Sequence, residues 1–204
     1  MKNFRMEDDL VGKAKAIDFV HILVIDDNPL DLLALRKMLG NMNCRVSTIQ
    51  DSAAASDALG GDFDVCLLDF ELGGINAFEL LAQFNLAELP GPVILLTGQR
   101  SRDVEIRAAE IGIADYLQKT TFDPIQLERS IRYSRQRHRD LRHMTHVARH
   151  DDLTGLLNRN AFVKSLEERF DASKAFASTT YVLYIDVDAF KAINDEYGHE
   201  IGRY

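Results

Sequence analysis

The stretch HILVIDDNP, residues 21–29, decides the fold. Its first five residues, His21–Ile25, form a short apolar run of strand length, as expected for a strand buried on both faces of a parallel sheet. Two aspartates follow at once. Asn28 before Pro29 is a typical helix start, with a capping side chain ahead of a first-turn proline. The stretch therefore predicts a strand, an acidic corner and a helix in direct succession.

The same alternation of a short apolar run and a longer amphipathic run continues along the chain. The further predicted strands are Cys44–Ile49, Val65–Leu68, Val93–Leu96 and Asp115–Leu117. The predicted helices are Pro29–Leu39, Ser52–Leu59, Asn76–Phe84 and Arg102–Ile111. Five strands that alternate with helices predict a doubly wound α/β domain with a parallel sheet, and the sites of such domains form at the carboxyl ends of the strands.

Composition and charge limit the classes of function. The chain has 204 residues, of which 46% are hydrophobic and 27% charged, and its formal net charge is −8. A protein with this balance is not expected to bind polyanions as a whole. Residues 1–20 carry no apolar run like that of a signal peptide, and no segment approaches the roughly 20 apolar residues that cross a bilayer. We therefore expect a cytoplasmic protein with no membrane partner.

Acidic side chains follow two strands that should be neighbours in such a sheet. Asp26 and Asp27 end the first strand, and Asp69 ends the third. Three carboxylates this close repel one another unless a cation lies among them, and hard oxygen ligands favour Mg²⁺. A carboxylate can also attack phosphorus to give an aspartyl phosphate. The cluster predicts a magnesium site with Asp69 as the phosphoacceptor.

Two further residues complete the predicted site. Thr97 ends the fourth strand, where its hydroxyl could donate to a phosphoryl oxygen. Lys119 follows the fifth strand and could supply an ammonium charge. Any one of these residues alone would be read as a loop, cap or surface residue. Their shared position, each at the end of one of the successive strands, favours a catalytic site.

The motifs around these residues resemble the receiver domains of response regulators: Val24-Ile25-Asp26-Asp27-Asn28, Leu67-Leu68-Asp69-Phe70, Leu96-Thr97-Gly98 and Tyr116-Leu117-Gln118-Lys119. The resemblance implies a flavodoxin-like fold and phosphotransfer to Asp69 from a histidine kinase or phosphotransfer protein. It also implies Mg²⁺ held by Asp27, Asp69 and the backbone carbonyl of Glu71, with Asp26 acting through water, and Thr97 and Tyr116 as a switch pair. Gly73-Gly74 and Thr120 depart from the family pattern, which has prolines in those two loops.

A long helical pattern covers residues 125–150, with no Gly or Pro before Gly155. Its inward seam would have the three-four spacing of a coiled coil. The seam residues are Ile131, Ser134, His138, Leu141, Thr145 and Ala148. A coiled-coil homodimer and a solvated connector both fit this pattern. The stretch holds seven arginines, but it has no interleaved aromatic residues and no second reading helix, so we do not expect a nucleic-acid partner.

The C-terminal residues predict a helix over Arg159–Phe170, a strand over Tyr181–Ile185 and a helix over Ala189–Tyr197. Asp186-Val187-Asp188, with Leu153-Thr154-Gly155-Leu156 upstream, resembles the GGDEF diguanylate cyclases. That resemblance implies cyclic di-GMP made from two GTP. Asp186 and the Val187 carbonyl would hold Mg²⁺ or Mn²⁺, and Asn194 would bind guanine.

The signature acidic loop of that family is not among the residues up to Tyr204, and Arg203 replaces a guanine-binding aspartate. We therefore expect an incomplete α+β domain and a chain that is phosphorylated but does not cyclise GTP. The predicted divisions are an N-terminal extension (1–19), the receiver (20–124), the connector (125–150) and the truncated GGDEF domain (151–204). The alternative is a non-enzymatic receiver that acts by phosphorylation-dependent protein contacts or dimerisation.

Overall fold

The computed structural model describes residues 19–99, 101–176, 179, 181–186, 188, 189 and 195. The chain forms two compact units, one ending at Asp140 and the other beginning at Leu141. No helix in the described part of the chain is long and apolar enough to span a membrane.

The first unit is built on a parallel sheet of five strands, which confirms the predicted fold class. The strands are β1 (Val20–Ile25), β2 (Cys44–Ile49), β3 (Val65–Asp69), β6 (Val93–Thr97) and β7 (Asp115–Gln118). A separate two-stranded hairpin, β4 (Glu71–Leu72) and β5 (Ile75–Asn76), follows β3. The order in the main sheet is β2-β1-β3-β6-β7. The chain thus reverses direction across the sheet after β2, which leaves β1 and β3 side by side.

The helices of this unit are α1 (Pro29–Leu39), α2 (Ser52–Leu59), α3 (Ala77–Leu81), α4 (Arg102–Glu110) and the part of α5 (Pro124–Arg149) up to Asp140. The side chain of Asn28 caps α1, as its position before proline predicts, by accepting a hydrogen bond from the backbone N–H of Leu30 at 3.0 Å. Helix α3 is shorter than the predicted Asn76–Phe84. Asn76 is its cap rather than its first residue, and the N–H of Phe84 closes a tighter turn by donating to the Leu81 carbonyl.

The central strands alternate between two cores, one on each face of the sheet. In β1, Leu23 and Ile25 join one buried cluster, while Ile22 and Val24 join the other. Helices α2 and α3 supply Leu59 and Leu80–Leu81 to the first cluster. Helices α1 and α5 supply the second cluster, through Leu32, Leu35, Leu39, Leu127 and Ile131. Because both faces are covered, these strands read as continuous apolar runs in the sequence.

Helix α5 is continuous over 26 residues, but its two parts differ in burial. Ile131 and Ser134, the first two residues of the predicted seam, are buried in the receiver itself. They are therefore unavailable to a partner helix, which corrects the seam drawn from the sequence. Seen along the sequence alone, residues that pack onto the sheet and residues that face another helix have the same three-four spacing. The remaining apolar positions, Leu141 and Met144 among them, are exposed.

In the second unit, a tight turn follows the end of α5. Asp151 accepts hydrogen bonds from the backbone N–H groups of Leu153 and Thr154, and Asn158 donates its side-chain amide to the Ala148 carbonyl at 2.8 Å. Helix α6 then spans Arg159–Phe176, longer than the predicted Arg159–Phe170.

The predicted strand Tyr181–Ile185 is wrong for this structure, because residues 181–186 have no regular structure and are exposed. A strand needs a neighbour to take its backbone hydrogen bonds, and the described part of this unit offers none. The predicted helix Ala189–Tyr197 falls almost entirely outside the described residues.

Candidate functional site

The register of the sheet brings the ends of β1, β3, β6 and β7 to one edge. Ile25 pairs with Leu68, so Asp26 and Asp69 follow at the same level. Asp69 pairs with Leu96 in the next strand. Thr97 pairs with Gln118 in the strand after that, and Lys119 comes next along the chain. Parallel pairing alone therefore gathers the residues that the sequence singles out.

Three of the carboxylates form a compact cluster. One oxygen from each of Asp26, Asp27 and Asp69 lies within 4.8 Å of the others. Asp26 is 0% exposed and Asp69 6%, whereas Asp27 is exposed. The backbone N–H of Asn28 donates to Asp26 Oδ1, and that of Phe70 donates to Asp69 Oδ1, each at 2.9 Å. Among the residues that the structure describes, no other set of His, Cys, Asp or Glu side chains comes together in this way.

Lys119 neutralises part of this cluster. Its Nζ lies 2.7 Å from Asp26 Oδ2, 2.9 Å from Asp69 Oδ1 and 2.8 Å from Asp31 Oδ2. Asp31, in the first turn of α1, is not among the site residues predicted from the sequence. Its only signal is its place four residues after Asp27, one helical turn from the cluster.

The surroundings of Asp69 and Lys119 change their acidity. Burial raises the pKa of Asp69 to about 6, and the nearby Asp26 carboxylate adds to this, while Lys119 and the Phe70 N–H oppose it. Burial alone would lower the pKa of Lys119, but its hydrogen bonds to Asp26, Asp31 and Asp69 outweigh this and raise it. Lys119 is therefore a permanent cation in the site.

The chemistry of the donor set fits a divalent cation. One ammonium group faces four carboxylates, so the site keeps an excess of negative charge. All the free ligand atoms are hard oxygens, which suit Mg²⁺ and similar ions. The cluster is of the kind that can hold a divalent metal. Glu71, the source of the predicted carbonyl ligand, lies in β4 and lines the same cavity as Asp27 and Asp69.

Thr97 and Tyr116 meet at one backbone carbonyl. Thr97 Oγ1 donates to the Gln99 oxygen at 3.0 Å, and the Tyr116 hydroxyl donates to the same oxygen at 3.1 Å. The N–H of Ser101 in turn donates to the Tyr116 hydroxyl at 3.3 Å. The structure thus couples the two predicted switch residues through the loop between β6 and α4. The sequence could not indicate Gln99, because a carbonyl is common to every residue type.

The site opens into a cavity of about 910 Å³ bounded by the hairpin β4–β5 on one side and the start of α4 on the other. Gly73 and Gly74 form the hairpin turn with φ angles of +57° and +118°. A side chain other than glycine would be strained at both positions. The double glycine that departs from the family's proline pattern therefore makes a tight turn beside Asp27, and a Cβ atom added at Gly73 would lie 3.5 Å from Asp27 Oδ2.

Of the three residues predicted to bind GTP and its metal ions, the structure describes only Asp186. Asp186 lies in the exposed segment 181–186. Val187 and Asn194 lie outside the described residues. Their roles stay predictions.

Comparison with known proteins agrees with this geometry. Residues 22–132 match the response regulator receiver domain family. The chain belongs to that family. Residues 148–203 match a second family, the diguanylate cyclase GGDEF domain, so the receiver is followed by a GGDEF-type segment.

Similar curated proteins include a response regulator and a diguanylate cyclase. Response regulator PleD of Caulobacter vibrioides strain NA1000 is 28% identical over 204 residues, 95% of this chain and 44% of PleD. Diguanylate cyclase TpbB of Pseudomonas aeruginosa strain UCBPP-PA14 is 32% identical over 143 residues, 68% of this chain and 32% of TpbB. The chain therefore spans less than half the length of these relatives.

Solved receiver structures share the fold. A response regulator receiver domain protein from Clostridium thermocellum superposes with a TM-score of 0.52 and 25% identity, covering 60% of this chain and 98% of that one. A CheY-like receiver domain protein from Methanospirillum hungatei JF-1 gives a TM-score of 0.53 at 20% identity, over 60% and 98%.

Proposed function

We propose that this receiver accepts a phosphoryl group on Asp69 from a histidine kinase or a phosphotransfer protein, and that phosphorylation controls a diguanylate cyclase. One observation carries the proposal. Asp69 lies both within 4.8 Å of the Asp26–Asp27 pair and 2.9 Å from Lys119. That combination of a carboxylate nucleophile, a cation-binding cluster and a fixed ammonium is what phosphoryl transfer to a carboxylate requires.

In the proposed step, an Asp69 oxygen forms a bond to the phosphorus of a phosphohistidine. The P–N bond breaks, and the donor's ring nitrogen keeps the electron pair. Lys119 is placed to bind a phosphoryl oxygen, because its Nζ already contacts the Asp69 carboxylate. The N–H of Phe70 holds Asp69 Oδ1 in place at 2.9 Å and so orients the nucleophile.

We assign the metal of this site as Mg²⁺, held by Asp27, Asp69 and the Glu71 carbonyl, with Asp26 contributing through water. When bound, Mg²⁺ would supply positive charge to the phosphoryl oxygens. Asp26 is fully buried and already bonded to Lys119 and to the Asn28 N–H, which suits an indirect role. Asp27 is the exposed member of the cluster and the one open to a ligand from solvent.

Thr97 and Tyr116 would transmit the effect of phosphorylation from the site to the loop before α4. Both hydroxyls donate to the Gln99 carbonyl. If Thr97 turns its hydroxyl toward a phosphoryl oxygen, Tyr116 keeps that acceptor alone and the loop before α4 is held differently. We propose this exchange as the switch.

The output is proposed from the second match and from the relatives. PleD is named a response regulator and TpbB a diguanylate cyclase, and both cover most of this chain. Phosphorylation would favour a homodimer through the exposed part of α5, and two GGDEF domains, each with one GTP, would then meet at high effective concentration.

Incubation of the chain with a small phosphodonor and Mg²⁺ tests the phosphoacceptor. Intact-mass measurement should show the addition of one phosphoryl group to the wild type and none to Asp69→Asn. Asp62→Asn, an exposed aspartate in the loop before β3, is the matched control and should be modified at the wild-type rate. Full modification of Asp69→Asn would refute the assignment.

A further inference from the structure

Asp31 makes a contact for which the proposed reaction gives no role. Its Oδ2 lies 2.8 Å from Lys119 Nζ, as close as the two carboxylates of the cluster. The side chain is 36% exposed, whereas that of Asp69 is 9% exposed and that of Asp26 is fully buried. Asp31 therefore reaches Lys119 from the solvent side of the site.

The three donors of Lys119 are all in use. An ammonium group has three N–H bonds, and three carboxylate oxygens lie 2.7–2.9 Å from its nitrogen. A phosphoryl oxygen can bind Lys119 only by taking or sharing one of these donors. Release of Asp26 would leave a buried charge without its partner, which is costly. Asp31 can turn to water instead, so its bond is the cheapest to give up.

We propose that Asp31 competes with the phosphoryl group for Lys119 and thereby weakens the receiver's hold on it. The inference rests on the proposed function. Two anionic oxygens bound to one nitrogen lie within roughly 6 Å of each other, twice the length of a hydrogen bond. At that separation two negative charges repel appreciably, even near a protein surface. Asp31 acts through Lys119 and does not touch the phosphoryl group, so it is a positioning residue.

Removal of the Asp31 charge should lower the affinity of the site for a metal ion and raise its affinity for a phosphoryl group. A negative charge beside the cluster attracts a metal ion and repels a phosphoryl group. Asp31→Asn keeps the size and a hydrogen-bonding oxygen but removes the charge. Damage to the local structure, by contrast, would weaken the binding of both ligands.

The test uses the full chain, with calorimetry of Mg²⁺ alone and then of beryllium trifluoride, a stable mimic of a phosphoryl group, at saturating Mg²⁺. For Asp31→Asn we expect the Mg²⁺ dissociation constant to rise a few-fold. We expect the dissociation constant of beryllium trifluoride to fall roughly tenfold. The difference between the constants of the variant and the wild type should shrink at high salt because Asp31 is part-exposed. Asp31→Glu restores the charge and should return both constants toward wild type. Asp57→Asn, an exposed aspartate of α2, should change neither.

The outcomes separate this inference from the proposed function. If the wild type fails to bind beryllium trifluoride with Mg²⁺, the proposed function falls and the role of Asp31 falls with it. If the wild type binds it but Asp31→Asn binds no more tightly, only the competition is refuted. Weaker binding of both ligands by Asp31→Asn would also refute it, since that result marks Asp31 as a structural support.

Discussion

At the scale of single residues, Asp69 combines burial with charge. Its pKa of about 6 lies well above the usual value near 3.8, mainly because the carboxyl is removed from water. Between pH 4 and 6 the folded protein therefore holds a proton that the unfolded chain has already lost. Stability falls as the pH rises through this window, and the full penalty is present above it. The charged Asp69 carboxylate therefore lowers the stability of the folded protein.

Asp69→Asn should accordingly be more stable than the wild type in the absence of divalent cations. At pH 7.5 we expect its free energy of unfolding to be larger by about 1–3 kcal/mol. The gap should close as the pH falls from 6 toward 4, where the wild-type carboxyl is protonated. Urea denaturation across this range measures it, with Asp62→Asn as the control for loss of an exposed charge. A gap that does not change with pH would contradict the assigned cause.

The site residues that the sequence could reveal are those placed by strand ends. Asp26, Asp69 and Lys119 stand where parallel register must gather them, whatever the loops do. The sequence does not indicate a site role for Asp31, because an acidic residue in the first turn of a helix is already explained by its favourable interaction with the helix dipole. It does not indicate Gln99 either, because only the backbone carbonyl of that residue bonds to Thr97 and Tyr116.

At the scale of elements, strand positions could be predicted and several other boundaries could not. Apolar runs mark buried strands directly, since both faces of the sheet are covered. Helix α3 ends early through a tighter turn that no residue type forces. The hairpin β4–β5 depends on two glycines with positive φ, and the sequence showed only that they depart from the family's proline. The segment Tyr181–Ile185 has strand composition but no strand beside it in the described structure.

At Gly91, just before β6, the backbone lies close against the backbone of Asp64 and Val65 at the start of β3. A Cβ atom there would clash with the Asp64 carbonyl oxygen and lie 2.9 Å from the Val65 nitrogen, both backbone atoms that cannot turn aside. Gly91→Ala should therefore separate β3 from β6 and lower the free energy of unfolding by about 1–3 kcal/mol.

Gly98→Ala is the matched control, because a Cβ atom at that position meets nothing within 4 Å. It should be neutral or slightly stabilising, since alanine restricts the unfolded chain. Both variants can be compared by thermal and urea denaturation. Equal stability of Gly91→Ala and the wild type would show that the two segments adjust without cost.

At the scale of the whole molecule, charge and apolar exposure are unevenly distributed. The protein carries a net charge of −8, yet seven arginines fall within 125–150. In the same helix Leu141, Met144 and Val147 are 57%, 67% and 49% exposed. Leu141 lies on one side of α5 with Thr145 and Ala148, which are seam positions that the receiver's own core does not use, and Met144 lies beside them. An apolar stripe of this kind on a basic helix fits pairing with a second copy, opposed by charge repulsion.

Dimerisation of the chain should therefore strengthen as salt rises. At physiological ionic strength the Debye length is about 8 Å, so added salt screens the arginines of facing helices while apolar contacts remain. Sedimentation at increasing salt should show a falling dimer dissociation constant, the reverse of an interface held by salt bridges. Leu141→Glu places a charge in the stripe and should raise that constant at least tenfold, since burial of an unpaired charge is costly. His143→Glu adds the same charge on the opposite side of the helix and serves as the control. A chain that stays monomeric at every concentration and salt would leave α5 as a solvated connector and would contradict the predicted dimer.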